Sequence, residues 1–488
     1  MLFNSIEFLL FFPAVVLLYY AIPGKLRVFW ILLTSYLFYM NWNPAYALLL
    51  LFSTAVTFLF GLLIGKRRTK EKAAAEAGRP IHQLSKVWVG VSFAVNLAIL
   101  FFYKYFDFTV DNINVIRGWM GLAPVTPGFD VLLPVGISFF LFQSLSYTID
   151  VYRRDLKPLD SLLDYVFYVS FFPQLVAGPI VRARDFIPQI RQPLFVSKEM
   201  FGQGVFFIVS GLFKKAVISD YISINFVERI FDNPSLYSGL ENLFGVYGYA
   251  LQIYCDFSGY SDMAIGIALL LGFRFPINFD SPYKSDSVTD FWHRWHISLS
   301  SWLRDYLYIS LGGNRKGKIR TYINLILTML LGGLWHGASW NFIIWGALHG
   351  VALAVHKLIR SLFHRPKNYR STGWRRVFAV IITFHFVCFC WIFFRNTEFE
   401  GSVSMIRQIF TSFHPELFVQ LVEGYWKVFV LMGIGYILHW CPDSWQNACS
   451  RGMTRMPLVG QALILIALIF LVIQVKSSDI QPFIYFQF

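Results

Sequence analysis

The chain has 488 residues, of which 56% are hydrophobic, 19% aromatic and 14% charged, and its formal net charge is +14. Soluble proteins contain about 25% charged residues, and a soluble domain has too little interior to hide this much apolar surface. The composition therefore excludes soluble globular, disordered, collagen-like and small disulfide-rich proteins, and it indicates a polytopic membrane protein.

The positive charge does not indicate a nucleic-acid-binding protein. The 42 Lys and Arg residues outnumber the 28 Asp and Glu residues. The excess positive charge is scattered over short connecting loops, and it is not concentrated in one basic domain. Basic loops are typical of the cytoplasmic side of membrane proteins, and the sequence contains no recognised nucleic-acid-binding motif. We expect membrane lipids, and no nucleic acid, among the partners.

The five cysteines form no CxxC pair and no even framework, and three of them lie in apolar runs. We interpret them as packing residues, because buried free cysteines behave as small apolar side chains. They are Cys255, Cys388, Cys390, Cys441 and Cys449.

Apolar stretches divide the chain into candidate membrane spans. A bilayer core about 30 Å thick needs about 20 apolar residues for each helix. The first stretch lacks a basic leader and a small-residue cleavage site, so we read it as a retained helix and not a signal peptide. The candidate spans are 6–22, 28–40, 45–65, 87–106, 131–150, 200–218, 242–272, 321–335, 339–356, 377–395, 427–441 and 457–475.

Loop charges predict the orientation. Loops 66–86 and 357–376 each contain seven basic residues, and the second contains no acidic residue. Loops 107–130 and 396–425 each contain one arginine and several acidic residues. Because basic loops stay in the cytoplasm, we expect the first two loops inside, the last two outside, and the N-terminus outside.

The apolar stretch 161–181 lies between two basic loops that are both predicted to be cytoplasmic, so it cannot cross the membrane once. Pro173, Gln174, Gly178 and Pro179 interrupt it. Irregular backbone at membrane depth is tolerated only where protein or a water-filled cavity covers it. The pattern predicts a re-entrant segment beside a cavity; the alternative is a proline-kinked span.

Polar residues at membrane depth are concentrated in three motifs, of which the first is the segment 254–266. It places five polar side chains inside an apolar run, those of Asp256, Ser258, Tyr260, Ser261 and Asp262. A central Asp costs about 2.5–3.5 kcal/mol on membrane-insertion scales, so these side chains must face the interior of the bundle. They form either part of a functional site or a structural network that fixes helix packing.

The second motif covers 289–308 and predicts an amphipathic helix at the cytoplasmic interface. Thr289 or Asp290 can cap its first turn, and an aromatic and aliphatic stripe follows at positions 292, 295, 299 and 302. Interfacial anchoring is the simple explanation for the tryptophans, but it does not explain the accompanying histidines, serines and Arg–Asp pair.

The second motif also contains an HxxH pair, His293 and His296. A zinc site needs at least three protein ligands, and no third ligand follows at a suitable spacing. The sequence therefore predicts no metal site here.

The third motif places His336 at a break between two apolar helices, next to Gly332, Gly333 and Gly337. Glycine permits close backbone approach, and histidine is the usual general base near neutral pH. The alternative is a buried structural histidine. The sequence contains no GxSxG, HExxH or phosphate-binding loop, which leaves group transfer or transport.

These motifs resemble those of the membrane-bound O-acyltransferase superfamily, and they occur in order over most of residues 1–400. His293 and Ser310 depart from the pattern, because relatives commonly have Arg and Pro at these places, so we assign His293 no catalytic role. The matching segments are LPVGISF at 133–139, FPQLVAGPI at 172–180, DFSGYSDMAIG at 256–266, DFWHRWHISLSSWLRDYLYISLGG at 290–313 and LWHGASWNFIIWG at 334–346.

The resemblance implies an all-α bundle of about eleven spans, with re-entrant and interfacial helices, around a central tunnel in the bacterial cytoplasmic membrane. It implies one acyltransferase domain over 1–488, with its motif-rich core at 130–350. It also implies transfer of an acetyl group from a cytoplasmic thioester, acetyl-CoA or an acyl-carrier protein, with no bound cofactor.

The resemblance also implies roles for individual residues. His336 is the expected base, and His296 positions the acyl donor or relays a proton. The remaining candidates shape the donor entrance or line the tunnel. They are Asp290, Arg304 and Asp305 at the entrance, and Asp256, Asp262, Trp335 and Asn341 along the tunnel.

The expected acceptor is an extracytoplasmic, alginate-like polysaccharide, reached through a periplasmic esterase-like acetyltransferase. Peptidoglycan O-acetylation and teichoic-acid D-alanylation are alternatives within the enzyme class. A membrane transporter or flippase, which would use the same polar cavity without a chemical step, and an inactive scaffold subunit are the non-enzymatic alternatives.

Overall fold

The structure is a computed structural model that describes the chain except residues 79, 81, 82, 130, 131, 367, 368, 370, 476–482 and 485–488. The described residues form helices and connecting segments, with no strand among them. Four residues that contribute to the predicted loop charges, Arg79, Asp130, Lys367 and Arg370, lie outside the described residues.

The described chain divides into two compact units. The first consists mainly of residues 5–196 with 271–275. In this unit α3 packs against both α4 and α6. Its helices are α1 (Ile6–Ala21), α2 (Gly24–Met40), α3 (Pro44–Glu76), α4 (Leu84–Leu100), α5 (Phe106–Trp119), α6 (Ile137–Arg153), α7 (Leu162–Ser170), α8 (Phe172–Leu175) and α9 (Ala183–Ile190), with a π-helical turn at Phe101–Tyr105.

The second unit consists of residues 2–4, 197–270 and 276–488, and it contains the residues of all three polar motifs. Its α-helices are α10 (Lys198–Leu212), α11 (Asp220–Ile222), α12 (Glu228–Asp232), α13 (Gly239–Leu270), α14 (Val288–Arg294), α15 (Ile297–Trp302), α16 (Lys318–His336), α17 (Trp340–Leu362), α18 (Gly373–Arg395), α19 (Phe399–Thr411), α20 (Phe418–Gly424), α21 (Trp426–Trp440), α22 (Asp443–Arg455) and α23 (Leu458–Val475). Its π-helical segments are Phe213–Ser219, Ser223–Val227 and Leu303–Tyr308, and short 3-10 turns lie at Pro234–Leu236, Pro282–Lys284 and Pro415–Leu417.

Several of these helices are long and apolar enough to cross a membrane, so the prediction of a multi-pass, all-helical membrane protein is confirmed. Four described helices meet this test alone, and a pair bent by 94° adds a fifth if it is counted as one span. The four are Pro44–Glu76, Leu84–Trp119, Trp340–Leu362 and Gly373–Arg395, the bent pair is Pro415–Gly424 with Trp426–Trp440, and the shorter apolar helices are Ile6–Ala21 and Leu458–Gln474.

The apolar stretch 161–181 is not a continuous helix. It forms the nine-residue helix α7 and the four-residue helix α8, and irregular chain follows. At 1.5 Å per residue α7 is about 14 Å long, which is too short to span. The rings of Phe167 and Phe171 lie 5.2 Å apart inside the first unit, and Phe171 lies 4.9 Å from Phe273. The stretch is therefore a buried, broken path inside the first unit and not one continuous helix.

The predicted interfacial helix differs from the observed one in two ways. Its cap is neither Thr289 nor Asp290, because the Ser287 side chain accepts the Asp290 N–H. It is also not continuous, because α14 ends at Arg294 and α15 begins at Ile297. The prediction of one helix was wrong at this point, since a helical pattern of apolar residues does not reveal a one-residue reversal of the backbone.

Close backbone contact between α10 and α13 organises the second unit. Gly211 faces Gly259, and Gly204 faces Gly266, with a spacing of seven residues on both helices. A Cβ atom added at Gly259 would lie 2.7 Å from the Gly211 carbonyl oxygen, and one at Gly266 would lie 2.5 Å from the Gly204 carbonyl oxygen. Because these obstacles are backbone atoms, the two helices would have to separate to accept a side chain.

We therefore expect Gly259→Ala to lower the unfolding temperature of the detergent-solubilised protein, because overpacking of this kind costs about 1–3 kcal/mol. Gly90→Ala on α4 is the matched control. A Cβ there meets nothing within 4 Å, and alanine favours the helix, so its unfolding temperature should stay the same or rise. Equal melting of both variants would contradict the close-contact interpretation.

Candidate active site

The site is built around the break that the sequence predicts between two apolar helices. Helix α16 ends at His336, Gly337 follows with an extended backbone, and α17 begins at Trp340. The hairpin is tight, because a Cβ atom at Gly333 would contact the Phe342 carbonyl oxygen and would lie 3.1 Å from the Cα of Gly346. The break thus holds the His336 side chain at a fixed helix end inside the second unit.

The His336 side chain is buried in an aromatic enclosure, with 3% of the residue exposed. Its ring centroid lies 4.9 Å from that of Trp335, 5.0 Å from that of Trp345 and 5.2 Å from that of Phe394. All three contacts are edge-to-face. Rings packed in this way restrict the rotation of the imidazole and exclude bulk water from it.

His296 lies at the break between α14 and α15, where the backbone enters the left-handed region with φ 43° and ψ 58°. A non-glycine residue in this conformation is strained by about 1–3 kcal/mol. The side chain of Asn278 holds the turn: its Oδ1 accepts the N–H and the hydroxyl of Ser298, and its Nδ2 donates to Ser261. The Asn278 carbonyl accepts the Ile297 N–H.

The strained backbone turns His296 into the interior, where the residue is completely buried. Its ring lies 4.6 Å from that of Phe257. His296 lies outside the candidate spanning helices, and burial lowers the pKa of its imidazole to about 3. The side chain is therefore neutral near pH 7, and it can offer hydrogen bonds but no positive charge.

The two predicted catalytic histidines flank the same tryptophan. The Trp335 ring lies 4.9 Å from the His336 ring and 6.4 Å from the His296 ring. The sequence places these histidines 40 positions apart, and the fold brings them together around Trp335. His293, in contrast, is exposed, and no group of three metal-binding side chains occurs in the described part of the chain.

Asn341 also lies in this region. It is buried, and its Nδ2 donates to the Asn396 carbonyl oxygen at 2.8 Å. This bond ties the first turn of α17 to the end of α18. The Oδ1 atom of Asn341 and the hydroxyl of Ser339 are buried and have no hydrogen-bond partner among the described residues.

The predicted donor-entrance residues lie in two local ion pairs. The Arg294 Nε lies 3.0 Å from Asp290, and its Nη1 lies 3.3 Å from Asp280. The Arg304 Nε lies 2.7 Å from Asp305. Arg304 is well exposed, with 61% of its side chain accessible, so it can meet a partner at the surface.

Asp256 and Asp262 are paired with lysines that the sequence analysis missed. The Lys215 Nζ lies 2.5 Å from Asp256 and 2.7 Å from Asp220, and the Lys214 Nζ lies 2.7 Å from Asp262. Both lysines lie in the π-helical segment Phe213–Ser219. Two adjacent lysines inside the predicted span 200–218 were a readable signal, because charges at membrane depth need partners.

Asp256 has one more contact, with a described part of the C-terminal region. Its Oδ2 accepts the Ile484 N–H at 2.8 Å. The neighbouring Phe483 ring lies 5.4 Å from Phe257 and 5.0 Å from Tyr260. Phe257 in turn contacts His296, so this segment packs within one side chain of the site. No motif in the sequence indicated this contact.

The structure thus places two buried histidines around one tryptophan in a multi-pass helical protein, and comparison with known proteins identifies its class. The sequence profile of the membrane-bound O-acyltransferase family matches residues 129–395. The chain therefore belongs to the membrane-bound O-acyltransferase family, and it is an O-acyltransferase.

Three relatives illustrate the range of the family. A protein of Pseudomonas putida named probable alginate O-acetylase AlgI is 37% identical over the full length of both chains. A peptidoglycan O-acetyltransferase of Helicobacter pylori is 37% identical over 78% of this chain and 72% of its own. A teichoic acid D-alanyltransferase of Bacillus subtilis is 30% identical over 57% of this chain and 72% of its own.

The lysine–aspartate contacts predict unequal effects of two neighbouring substitutions. Lys215→Met leaves Asp220 and Asp256 without their shared cation, and breaking a buried ion pair costs about 3–5 kcal/mol. Lys214→Met is the matched control, because it leaves only Asp262, whose side chain is 15% exposed. We expect the unfolding temperature in detergent to fall further for Lys215→Met. Equal effects would show that the network is not centred on Lys215.

Proposed function

We propose that this protein transfers an acetyl group from a cytoplasmic thioester to a hydroxyl acceptor, for O-acetylation of an alginate-like polysaccharide outside the cytoplasmic membrane. The observation that carries the proposal is the pair of buried histidines, His336 and His296, on the two sides of Trp335. The full-length similarity to a probable alginate O-acetylase supports the acetyl group and the type of acceptor.

His336 is the general base of the proposed reaction. The acceptor hydroxyl oxygen attacks the thioester carbonyl carbon, a C–O bond forms, and the His336 imidazole takes the hydroxyl proton. The carbonyl π electrons move onto the carbonyl oxygen and return when the C–S bond breaks. The leaving thiolate then takes the proton from His336, so the products are an ester and a free thiol.

His296 positions the acyl donor against His336 in this proposal. Its neutral ring can hydrogen-bond an uncharged group such as a thioester or amide. Arg304, Asp305 and Asp290 shape the donor entrance. The neighbouring exposed residues Arg315 and Lys316 suit an acidic donor, whether the phosphates of acetyl-CoA or an acidic acyl-carrier protein. No bound cofactor is needed, because the thioester is itself activated.

The finer architecture belongs to the same proposal. About eleven spans would surround a tunnel lined by Trp335, Asn341, Asp256 and Asp262, and both compact units would act as one acyltransferase domain in the bacterial cytoplasmic membrane. The buried Oδ1 of Asn341 and hydroxyl of Ser339, which have no partner among the described residues, support a polar space beside His336. An esterase-like periplasmic protein would take the acetyl group onward to the polymer.

Acceptor alternatives within the enzyme class are peptidoglycan O-acetylation and teichoic-acid D-alanylation. The Helicobacter relative supports the first and the Bacillus relative the second, over smaller shares of the chain than the Pseudomonas relative. Neighbouring genes would separate them: polysaccharide-synthesis genes with an esterase-like partner, or a D-alanine carrier-protein cassette.

Removal of the base should abolish transfer. Purified protein is incubated with a radiolabelled acetyl thioester and a hydroxyl acceptor, and ester formation is measured. We expect His336→Ala to lower the rate by at least about 10²-fold, because general base catalysis contributes about 10²–10⁴-fold. His296→Ala should also lower the rate, whereas the exposed neighbour His293→Ala should not.

Transfer by His336→Ala at the wild-type rate would exclude His336 as the general base, whereas no ester formation by the wild-type protein would favour the transporter or flippase alternative. Polymer acetylation in cells gives a second test, because an inactive scaffold subunit would keep acetylation intact with both His336→Ala and His296→Ala.

Chemical labelling of Cys449 can test the proposed orientation of the protein in the membrane. This cysteine is exposed on α22, which follows the predicted outer loop and one span, and so lies inside. A membrane-impermeant maleimide should label Cys449 only after spheroplasts are permeabilised. Glu400→Cys in the predicted outer loop, in a Cys449→Ser background, should react without permeabilisation. Labelling of Cys449 in intact spheroplasts, with Glu400→Cys labelled only after permeabilisation, would contradict the proposed orientation.

A further inference from the structure

A row of polar aromatic side chains continues from His336 along α17. Trp345 and His349 lie four residues apart and therefore on one face of the helix. Their rings lie 4.8 Å apart, and Trp345 lies 5.0 Å from His336. Helix α17 leads toward the loop 357–376, which is predicted to be cytoplasmic, so His349 lies on the donor side of His336.

The tautomer of His349 is fixed by a neighbour on α14. The Trp292 indole Nε1–H donates to His349 Nδ1 at 3.3 Å. An indole nitrogen only donates hydrogen bonds, so Nδ1 must be the acceptor, and the proton of the neutral imidazole lies on Nε2. His349 therefore presents one N–H group in a defined direction.

This N–H group is buried and unsatisfied. His349 has no exposed surface, and its Nε2 has no hydrogen-bond partner among the described residues. The Nε1 atom of Trp345, which is also buried, has none in the same part of the chain. A buried donor without an acceptor costs about 1–3 kcal/mol, and the hydrocarbon core supplies no water to satisfy it. Two such N–H groups in succession suit a ligand that carries carbonyl oxygens.

We propose that the His349 Nε2–H group binds a carbonyl oxygen of the acyl donor on the cytoplasmic side of His336. This inference rests on the proposed function. Coenzyme A and acyl-carrier proteins both present the thioester on a pantetheine arm, which contains two amide carbonyl groups. His349 lies about one helical turn beyond Trp345, and it holds an amide of this arm while the thioester reaches His336. The bond forms in the bound ground state and breaks when the arm leaves.

A purely structural role makes a different prediction. If the bond between Trp292 and His349 only joined α14 to α17, removal of either partner would lower stability and leave the Michaelis constant for the acyl donor unchanged. Two variants separate the roles: His349→Phe removes both ring nitrogens and keeps a planar ring, whereas His349→Gln keeps an N–H group near the Nε2 position. Trp292→Phe removes only the bond to Nδ1.

The first experiment measures initial rates of the full-length protein against acetyl-CoA and against an acetylated acyl-carrier protein, with the acceptor held constant. We expect His349→Phe to raise KM for the acyl donor about 3- to 10-fold, the range for loss of one neutral hydrogen bond, with kcat within about 2-fold. His349→Gln should restore most of the affinity. The thioester that supports turnover identifies the source of the arm.

The second experiment needs no turnover. Pantetheine, the arm common to both donors, is titrated while intrinsic tryptophan fluorescence is recorded, and His349→Phe should weaken its binding by a similar factor. Unfolding temperatures show whether each variant is folded. If His349→Phe destabilises the protein, His349→Gln and Trp292→Phe carry the comparison.

Unchanged KM and pantetheine binding in folded His349→Phe would overturn this inference and leave the proposed function intact, because the wild-type protein would still transfer acetyl groups. A loss of kcat with unchanged KM would also overturn it. An inactive wild-type protein would instead count against the proposed function, and the pantetheine titration would still decide whether His349 binds the arm.

Discussion

The structure depends on one constraint: a polar group at membrane depth has neither water nor lipid to pair with, so the protein must supply its partner. Lys215 is 3% exposed, and two aspartates contact it. Such pairs form only where helices approach closely, and the glycine contacts between α10 and α13 permit this approach. The glycines that bring α10 and α13 close together therefore also allow the buried lysine to reach its aspartates.

The same constraint applies to the candidate active site, where both histidines are buried. Around His336 the enclosure consists of the rings of Trp335, Trp345 and Phe394, whose only polar atoms are the two indole N–H donors. His296 is held neutral by burial and oriented by its own backbone. In the proposed reaction, the rings around His336 offer no proton acceptor that would compete with its imidazole for the hydroxyl proton.

Much of this could be read from the sequence, and the reasons for success and failure are physical. The helix break at His336 was predictable because Gly337 and a polar Ser–Trp–Asn sequence interrupt two apolar runs. The break at His296 was not, because it is stabilised by Asn278, a residue 18 positions away in the chain. Local pattern favours a continuous helix there, and a tertiary contact overrides it.

The ion pairs between Lys214, Lys215 and their aspartates were not predicted, for a different reason. Asp256 and Asp262 stood out in an apolar run, and Lys214 and Lys215 inside the predicted span 200–218 gave a similar signal that the motifs alone did not connect to them. Both lysines lie in the π-helical segment Phe213–Ser219, and nothing in the residue pattern indicates that a helix will widen there or which aspartate each lysine will contact. His349 was hidden for a related reason: one histidine in an apolar helix is uninformative until its neighbours are known.

The left-handed backbone of His296 bears on how this protein can be engineered. Glycine would relieve the strain at that position, and asparagine tolerates the conformation better than histidine does. Selection for thermal stability alone would therefore replace the imidazole, and the stabilised protein would lose a group that the proposed reaction uses. Under the proposed function, stability and turnover compete at this residue, so a consensus or stability-directed library should hold position 296 fixed while it varies the rest of the segment.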